Sequence, residues 1–250
     1  MATSLGIGGQ IVTDGLVLCL DAANKDSYPG SGTTWSDLAG SNNGTLTNGP
    51  TFDSGNGGSL VFDGSNDFWI CNQRTSNLEY QYYDSFSLSA WVYINESSGN
   101  GYIVNNRMTD ASNTPYAGWG LLQAFGYILF IIGGYPSSTY SWRSVETTTT
   151  EFSTNIFQKW SLITATNTGT AGEQKMYVNG VDVSYNVKDD SNPPYTVDYS
   201  NGNSRVNVGR DGVIDHYLSS NISQVQIYNR ALTASEVLQN YNALKGRYGL

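Results

Sequence analysis

The alternation of apolar and polar residues over Phe86–Ile94 constrains the fold of this chain more than any other feature. Apolar side chains occupy every second position of the segment, namely Phe86, Leu88, Ala90, Val92 and Ile94. The positions between them hold Ser87, Ser89, Trp91 and Tyr93. Successive side chains of a β-strand point to opposite faces, so a period of two predicts a strand with one face buried and the other exposed.

Other segments of the same kind predict an all-β fold. Residues 15–21 and 127–132 are apolar on both faces, which is typical of central strands. In residues 175–183, the dipeptide Asn179-Gly180 lies between strand-forming residues and tolerates positive φ at both positions, so it predicts a two-residue hairpin. Further predicted strands lie at 60–63, Phe68–Cys71, 160–166, 205–208 and 224–228.

One short helix is predicted near the C-terminus. Thr233 and Glu236 have the spacing of a capping box, in which each side chain binds the other residue's backbone amide. Apolar residues follow at helical spacing, and Gly246 is expected to end the helix. The sequence therefore predicts one domain over residues 1–250, with residues 1–14 as an N-terminal arm and a helix over 233–245 docked on a β-sandwich.

The net charge disfavours several classes of partner. The chain has 12 basic and 21 acidic residues, a formal charge of −9 and a pI near 4.4. Such a chain does not attract phosphate backbones or anionic lipid, so neither nucleic acid nor a membrane is an expected partner. The first basic side chain is Lys25, so no secretory signal is predicted. The longest apolar run, 127–132, is far shorter than the roughly 20 residues that span a bilayer.

Cys19 and Cys71 are the two cysteines of the chain, and each lies in a strand-like apolar segment. Two interpretations are open. The residues act as two buried thiols that pack as small hydrophobic groups, or they form a single disulfide. A metal site would need more ligands than the sequence brings together.

Six segments in a fixed order carry a resemblance to a known family. They are Gly58-Ser-Leu-Val-Phe-Asp-Gly-Ser-Asn-Asp67, Phe86-Ser-Leu-Ser-Ala-Trp91, Trp160, Lys175-Met-Tyr-Val-Asn-Gly180, Val208-Gly209, and Ile222-Ser-Gln-Val-Gln-Ile-Tyr-Asn-Arg-Ala-Leu232 with the capped helix. Together they resemble the laminin-G-like, concanavalin A-like lectin/glucanase superfamily. The resemblance implies an antiparallel two-sheet jelly-roll sandwich. The chain departs from it at Ser223-Gln224, where many relatives have an acidic pair, and over residues 108–151, which do not align.

A narrower resemblance concerns the two ends of the chain. Residues 15–24, 33–38 and 238–250 resemble segments of virion proteins from tailed bacteriophages. This resemblance implies a non-catalytic structural, decoration or fibre-associated protein located in the virion. Its expected partners are other virion proteins, further copies of itself as a homo-oligomer, and host cell-surface glycan. The alternatives are a stand-alone carbohydrate-binding lectin module and, less favoured, a glycan-cleaving enzyme.

Catalysis is not expected, because the residues that it would need are missing from the sequence. Glucanases of this superfamily carry a Glu-x-Asp-x-x-Glu strand motif that places two carboxylates across one glycosidic bond, and none of the six Glu residues begins such a motif. His216 is the only histidine, and no serine in a nucleophile-elbow motif accompanies it. His216 is expected to lie in a loop, either exposed or hydrogen-bonded, without a catalytic role.

No cofactor is expected to be required, and calcium is the one that the sequence allows. Two turns are rich in the oxygen ligands that calcium prefers: the first has Asp63, Asn66 and Asp67, and the second has Asp211 and Asp215. The alternative is that these residues form turns through local hydrogen bonds.

Aromatic residues in the unaligned stretch are the candidate ligand or partner surface. Trp91 and Trp160 occupy core positions of the family, so packing is their expected role. Rings among Gly, Ser, Thr and Pro in residues 108–151 suit a loop that binds a sugar or another subunit. These are Tyr116, Trp119, Tyr135, Tyr140 and Trp142. The alternative is that they cover strand ends or a neighbouring subunit.

Overall fold

The computed structural model describes residues 9–109, 116–134, 141–170, 173–189, 196–201 and 204–250. Within them the chain is mostly β-strand, with two short α-helices. The strands are β1 Leu16–Asp21, β2 Thr34–Trp35, β3 Gly44–Thr47, β4 Thr51–Asp53, β5 Ser59–Asp63, β6 Phe68–Cys71, β7 Phe86–Ile94, β8 Asn100–Met108, β9 Ala117–Ala124, β10 Tyr127–Gly134, β11 Ser141–Glu146, β12 Trp160–Asn167, β13 Gln174–Val178, β14 Val181–Asp182, β15 Tyr185–Asp189, β16 Asn207–Val208 and β17 Ser219–Tyr228. The helices are α1 Thr149–Glu151 and α2 Ala234–Leu244.

The strands form two antiparallel sheets. The first has eight strands in the order β14-β13-β12-β7-β17-β5-β4, with β1 also paired to β17. The second has nine strands in the order β15-β11-β10-β9-β8-β16-β6-β3-β2. One edge of β17 pairs with β7, and its other edge is shared by β5 and β1. This arrangement confirms the predicted two-sheet jelly-roll sandwich.

The main core lies between the two sheets. The alternate side chains of β7 from Phe86 to Ile94 all belong to it, as the period of two predicts. Phe86 packs against rings of the facing sheet, with centroid distances of 5.7 Å to Phe130 and 6.0 Å to Trp119. Aromatic side chains bury much apolar area, so this cluster is a large part of what holds the sheets together.

The second face of β7 is also buried, so the prediction of a half-exposed strand is wrong. Trp91 is fully buried, with its ring stacked on Tyr248 at 4.1 Å and on Tyr241 at 5.8 Å between centroids. Both tyrosines belong to the C-terminal segment, which folds over the outer face of the eight-stranded sheet. Strand periodicity alone does not show that a segment 150 or more residues later covers this face.

The C-terminal helix is confirmed, with its capping box. Thr233 is the N-cap, and its side chain accepts a hydrogen bond from the backbone amide of Glu236 at 3.3 Å. Glu236 is also paired with Arg230 at 2.6 Å, and this contact holds the pKa of Glu236 well below its usual range, at about 2. The α-helix ends at Leu244, next to the predicted end at residue 245. Gly246 lies in a 3-10 helix over Lys245–Tyr248, and the left-handed φ of 73° is found at its C-cap Gly249.

Two hairpins have two-residue turns with positive φ at both positions. Asn179 and Gly180, at 53° and 85°, join β13 to β14 as predicted. Phe125 and Gly126, at 46° and 88°, join β9 to β10, although a phenylalanine gives no signal for such a turn.

The N-terminal arm is described only from residue 9. Within that part, the backbone amide of Val12 donates to Asn240 Oδ1 of α2 at 2.8 Å, so the arm and the helix are joined. Cys19 and Cys71 are free and buried, which decides against the disulfide, and burial raises the pKa of both thiols. Among the described residues, no helix has the length and apolar character needed to cross a membrane.

Candidate functional site

Residues 108–151 do not align with the family by sequence, and much of this stretch consists of strands in the nine-stranded sheet. It contributes β9, β10 and β11. Trp119 in β9 is fully buried, and its Nε1 donates to the carbonyl of Leu78 at 2.8 Å. Its ring also lies against Tyr80 and Phe86 in the main core. The prediction of Trp119 as a surface residue is therefore wrong, because strand alternation turns it inward.

The other predicted aromatic residues are placed as follows. Tyr116 precedes β9 with a positive φ of 59° and is half-buried. Trp142 is half-buried in β11, not in a loop as expected, and is paired in register with Gly133 of β10. Tyr135 and Tyr140 lie outside the described residues. A binding role for these aromatic residues stays a prediction.

Register identifies the face of the nine-stranded sheet that points away from the core. Arg107, Gly118, Gly133 and Trp142 are successive cross-strand partners, so they form one row across β8 to β11. Their sequence neighbours Trp119 and Ile132 are in the core, so this row lies on the outer face.

Arg107 is held rigidly on this outer face. Its Nη1 is 2.9 Å from Asp211 Oδ2, and both side chains are almost fully buried, at 7% and 1% exposed. The guanidinium lies 5.1 Å from the ring centroids of both Tyr102 and Tyr116, and it also donates to the Tyr102 hydroxyl and the Tyr116 carbonyl. Burial raises the pKa of Tyr102. Arg107 therefore joins β8 to the loop that contains Asp211.

The second predicted calcium turn contains this ion pair. The other oxygen of Asp211, Oδ1, accepts from the backbone amide of Val213 at 2.8 Å. Asp215 accepts a hydrogen bond from the Tyr217 hydroxyl at 3.1 Å. Both oxygens of the Asp211 carboxylate are thus bound to groups of the protein.

The first predicted calcium turn is held by local hydrogen bonds. Asp63 Oδ1 accepts from the amides of Ser65 at 2.8 Å and Asn66 at 3.2 Å, and bonds of this kind lower the pKa of Asp63. Asp67 Oδ2 accepts from the amide of Asp63, while burial and the charge of Asp63 raise the pKa of Asp67. Over the described ranges, no group of three or more His, Cys, Asp or Glu is placed to hold a metal ion. Calcium binding stays a prediction.

An open cleft of about 270 Å³ lies at the outer face, where β6, β8 and β16 meet the loop after β16. Ile70 pairs with Asn207, and Asn207 with Asn105, so these side chains share the outer face while Trp69 and Val208 point into the core. Three arginines line the cleft: Arg107, Arg205 and Arg210. Of the described residues that line it, none is Asp or Glu. No predicted site residue is among the described residues that line this cleft.

The rest of the lining is both apolar and polar. Ile70, Met108 and Val213 supply apolar surface, and Thr109 and Asn207 supply a hydroxyl and an amide. Asn207 is fixed by its neighbours: its Nδ2 donates to the Arg205 carbonyl at 3.0 Å, and its Oδ1 accepts from Arg210 Nε at 3.2 Å. A cleft with a few oriented polar groups on apolar walls has the makeup of a small-molecule site.

The buried aspartates of the described residues all have structural partners. Asp21 is 2.9 Å from Arg247, and Asp37 accepts from the amide of Cys19 at 2.9 Å. Asp67 and Asp211 are bound as described above. His216 lies in the loop after β16, where its backbone pairs with Asp211 and Ile214. That the chain is not an enzyme stays a prediction.

Comparison with known proteins gives one family match. The family model described as the concanavalin A-like lectin/glucanases superfamily matches residues 63–238, which is more than half of the chain. No curated protein sequence gives a significant match.

Solved structures with a similar fold include toxin binding domains. The binding domain of Paraclostridial Mosquitocidal Protein 1 has a TM-score of 0.66 and 20% identity over 92% of this chain and 52% of its own. The botulinum neurotoxin serotype D binding domain has a TM-score of 0.65 and 20% identity, with the same coverage. The serotype D domain in complex with N-acetylneuraminic acid has a TM-score of 0.64 and 20% identity, over 92% and 51%. The chain thus spans about half the length of these domains.

Proposed function

Because this chain belongs to the concanavalin A-like lectin/glucanase superfamily, we propose that it is a non-catalytic glycan-recognition module that binds sugar in the outer-face cleft. The observation that carries the proposal is the composition of this cleft. Guanidinium, amide and hydroxyl groups are planar or directional hydrogen-bonding groups that match sugar hydroxyls. The apolar side chains between them match the C–H faces of a pyranose ring.

Rigidity of the cleft supports the same function. The Arg107–Asp211 pair, the bonds of Asn207 and the pairing of β16 with β6 and β8 fix the walls before any ligand enters. A preformed site loses little conformational entropy on binding. The cleft volume of about 270 Å³ suits one small ligand unit more than a protein segment.

The similar solved structures support a binding function more than an enzymatic one. Those described above are named as binding domains, and one was solved with N-acetylneuraminic acid. This chain matches about half of each domain, so the similarity supports a shared fold. The ligand depends on the residues of this chain's own cleft.

A glycan array followed by calorimetric titration tests the proposal. The wild-type chain should bind at least one glycan. The Val213→Trp variant, whose larger side chain fills the cleft, should lose that binding while its melting temperature stays near that of the wild type. Lys25→Ala, an exposed change outside the cleft lining, is the matched control and should bind as wild type. An array without any bound glycan, or normal binding by the Val213→Trp variant, would contradict the proposal.

We also propose a setting for this module, namely a bacteriophage virion in which it contacts other virion proteins and copies of itself. The support is the resemblance of residues 15–24, 33–38 and 238–250 to virion proteins of tailed phages. Purified particles analysed by mass spectrometry should contain the chain at a fixed stoichiometry. If the chain is found only in the free protein fraction, the stand-alone lectin is the better description.

A further inference from the structure

The outer-face cleft concentrates positive charge on an acidic protein. The chain has 12 basic residues and a formal charge of −9, yet three of those basic residues line this one cleft. An uneven charge distribution of this kind selects ligands by sign, because a local cationic site attracts anions in spite of the overall charge.

The three arginines are not equivalent. Arg107 is neutralised by Asp211 at 2.9 Å, in a pair that is nearly excluded from solvent. Its role is therefore to hold the cleft wall, and it adds little net charge.

Arg205 is an exposed cation, and no described residue supplies it with a counter-ion. It lies just before β16, and among the described residues its side chain makes no hydrogen bond or ion pair. Its position is nevertheless fixed, since its own carbonyl accepts from Asn207 Nδ2 at 3.0 Å. All the donors of its guanidinium remain available to a ligand.

Arg210 is a partly desolvated cation. Its guanidinium carbon lies 3.6 Å from the centroid of the Phe68 ring, and its Nε donates to Asn207 Oδ1 at 3.2 Å. Burial lowers the pKa of Arg210, since removal from water disfavours the charged form, while the hydrogen bond to Tyr217 and the charges of Asp215 and Asp211 oppose this effect in part. A bound anion would offset this loss of hydration, and Asn207 places both arginines on the same cleft.

We propose that the cleft binds the anionic group of an acidic saccharide, with Arg205 and Arg210 as its cationic contacts. The proposal rests on the glycan-recognition function above and names its ligand class. An arginine fork matches the two oxygens of a carboxylate or of a sulfate ester, and charge-assisted bonds of this kind are stronger than neutral ones. The apolar side chains of the lining then contact the sugar ring.

The test is an array of matched neutral and acidic pairs: lactose and sialyllactose, methyl-esterified and free trigalacturonate, and unsulfated and sulfated lactose. We expect the acidic member of one or more pairs to bind at least about tenfold more tightly than its neutral partner. The pair that responds tells a sialic acid, a uronic acid and a sulfate ester apart. Neutral members that bind as well as acidic ones would overturn the proposal while leaving glycan recognition intact. If no glycan binds, glycan recognition itself fails, and this proposal fails with it.

Variants at Arg205 test the site itself. Arg205 is exposed, and its side chain has no partner among the described residues, so Arg205→Ala should fold normally and weaken binding of the selected acidic glycan by about tenfold or more. Arg205→Lys keeps the charge without the fork and should give a smaller loss. Lys25→Ala removes the same charge outside the cleft and should leave the affinity unchanged. Equal affinities for wild type and Arg205→Ala would refute the assignment.

Discussion

The buried pair between Arg107 and Asp211 makes a prediction about stability that can be worked from the structure. Asp211→Asn keeps the acceptor for the Val213 amide but removes the charge, and Arg107 then remains buried without a counter-ion. Removal of one partner from a buried ion pair costs about 3–5 kcal/mol. The carbonyl of Tyr116 and the flanking rings still stabilise the guanidinium, so we expect the lower end, about 3 kcal/mol.

The assay is urea denaturation of wild type and variant, compared by linear extrapolation. A loss of about 3 kcal/mol corresponds to roughly 10 °C in melting temperature for a chain of this size. The double variant Arg107→Met with Asp211→Asn should recover part of this loss, because it removes the isolated charge. The matched control is Asp182→Asn, which breaks the exposed pair with Lys175. Solvent screens that pair, so the denaturation midpoint should change little. The argument would be refuted if both single variants changed stability equally.

Four further predictions concern packing, pH, catalysis and calcium. Trp91→Ala should lower the free energy of unfolding by about 3–5 kcal/mol, because the Trp91 ring is fully buried. Trp160→Ala should lower it less, because Trp160 is partly exposed. Equal losses of stability in thermal melts would contradict this explanation. Neither variant should change the glycans bound. The lowered pKa of Glu236 contributes stability above pH 4.5 that is lost towards pH 2, so the stability difference between wild type and Glu236→Gln should shrink over this range. No reducing ends should be released from laminarin or agarose; release abolished by one Asp or Glu substitution would contradict this. The melting temperatures in calcium and in EGTA should be equal if local hydrogen bonds alone hold both Asp turns, and a higher value in calcium would show that one of the turns binds the ion.

The parts of the fold that could be predicted are those set by local sequence. The alternation of Phe86–Ile94 predicts β7, and Asn179-Gly180 predicts a turn, because each depends on the conformations of a few neighbouring residues. Thr233 and Glu236 predict a helix start for the same reason.

The predictions that are wrong concern features that depend on contacts between distant segments. Nothing near Trp91 shows that Tyr241 and Tyr248 cover it. Trp119 among glycines has the composition of a loop, yet β9 lies between β8 and β10, and the pairing turns its ring into the core. Glycine among small polar residues predicts a loop, whereas Gly118 and Gly133 lie in strands with φ of 127° and 143°, where other residues would be strained.

The candidate site shows the same division between local and distant information. Arg205 and Arg210 lie five positions apart in a chain with few cations, and this local concentration of charge is a signal that could have been read from the sequence. Arg107 lies about a hundred residues earlier, and it reaches the cleft because β8 pairs with β16. The pairing of β8 with β16 thus brings the three arginines together, and Asp211 neutralises Arg107, which is buried. In the proposal above, only the two cations nearer to solvent contact the ligand, while the buried Arg107 holds the cleft wall.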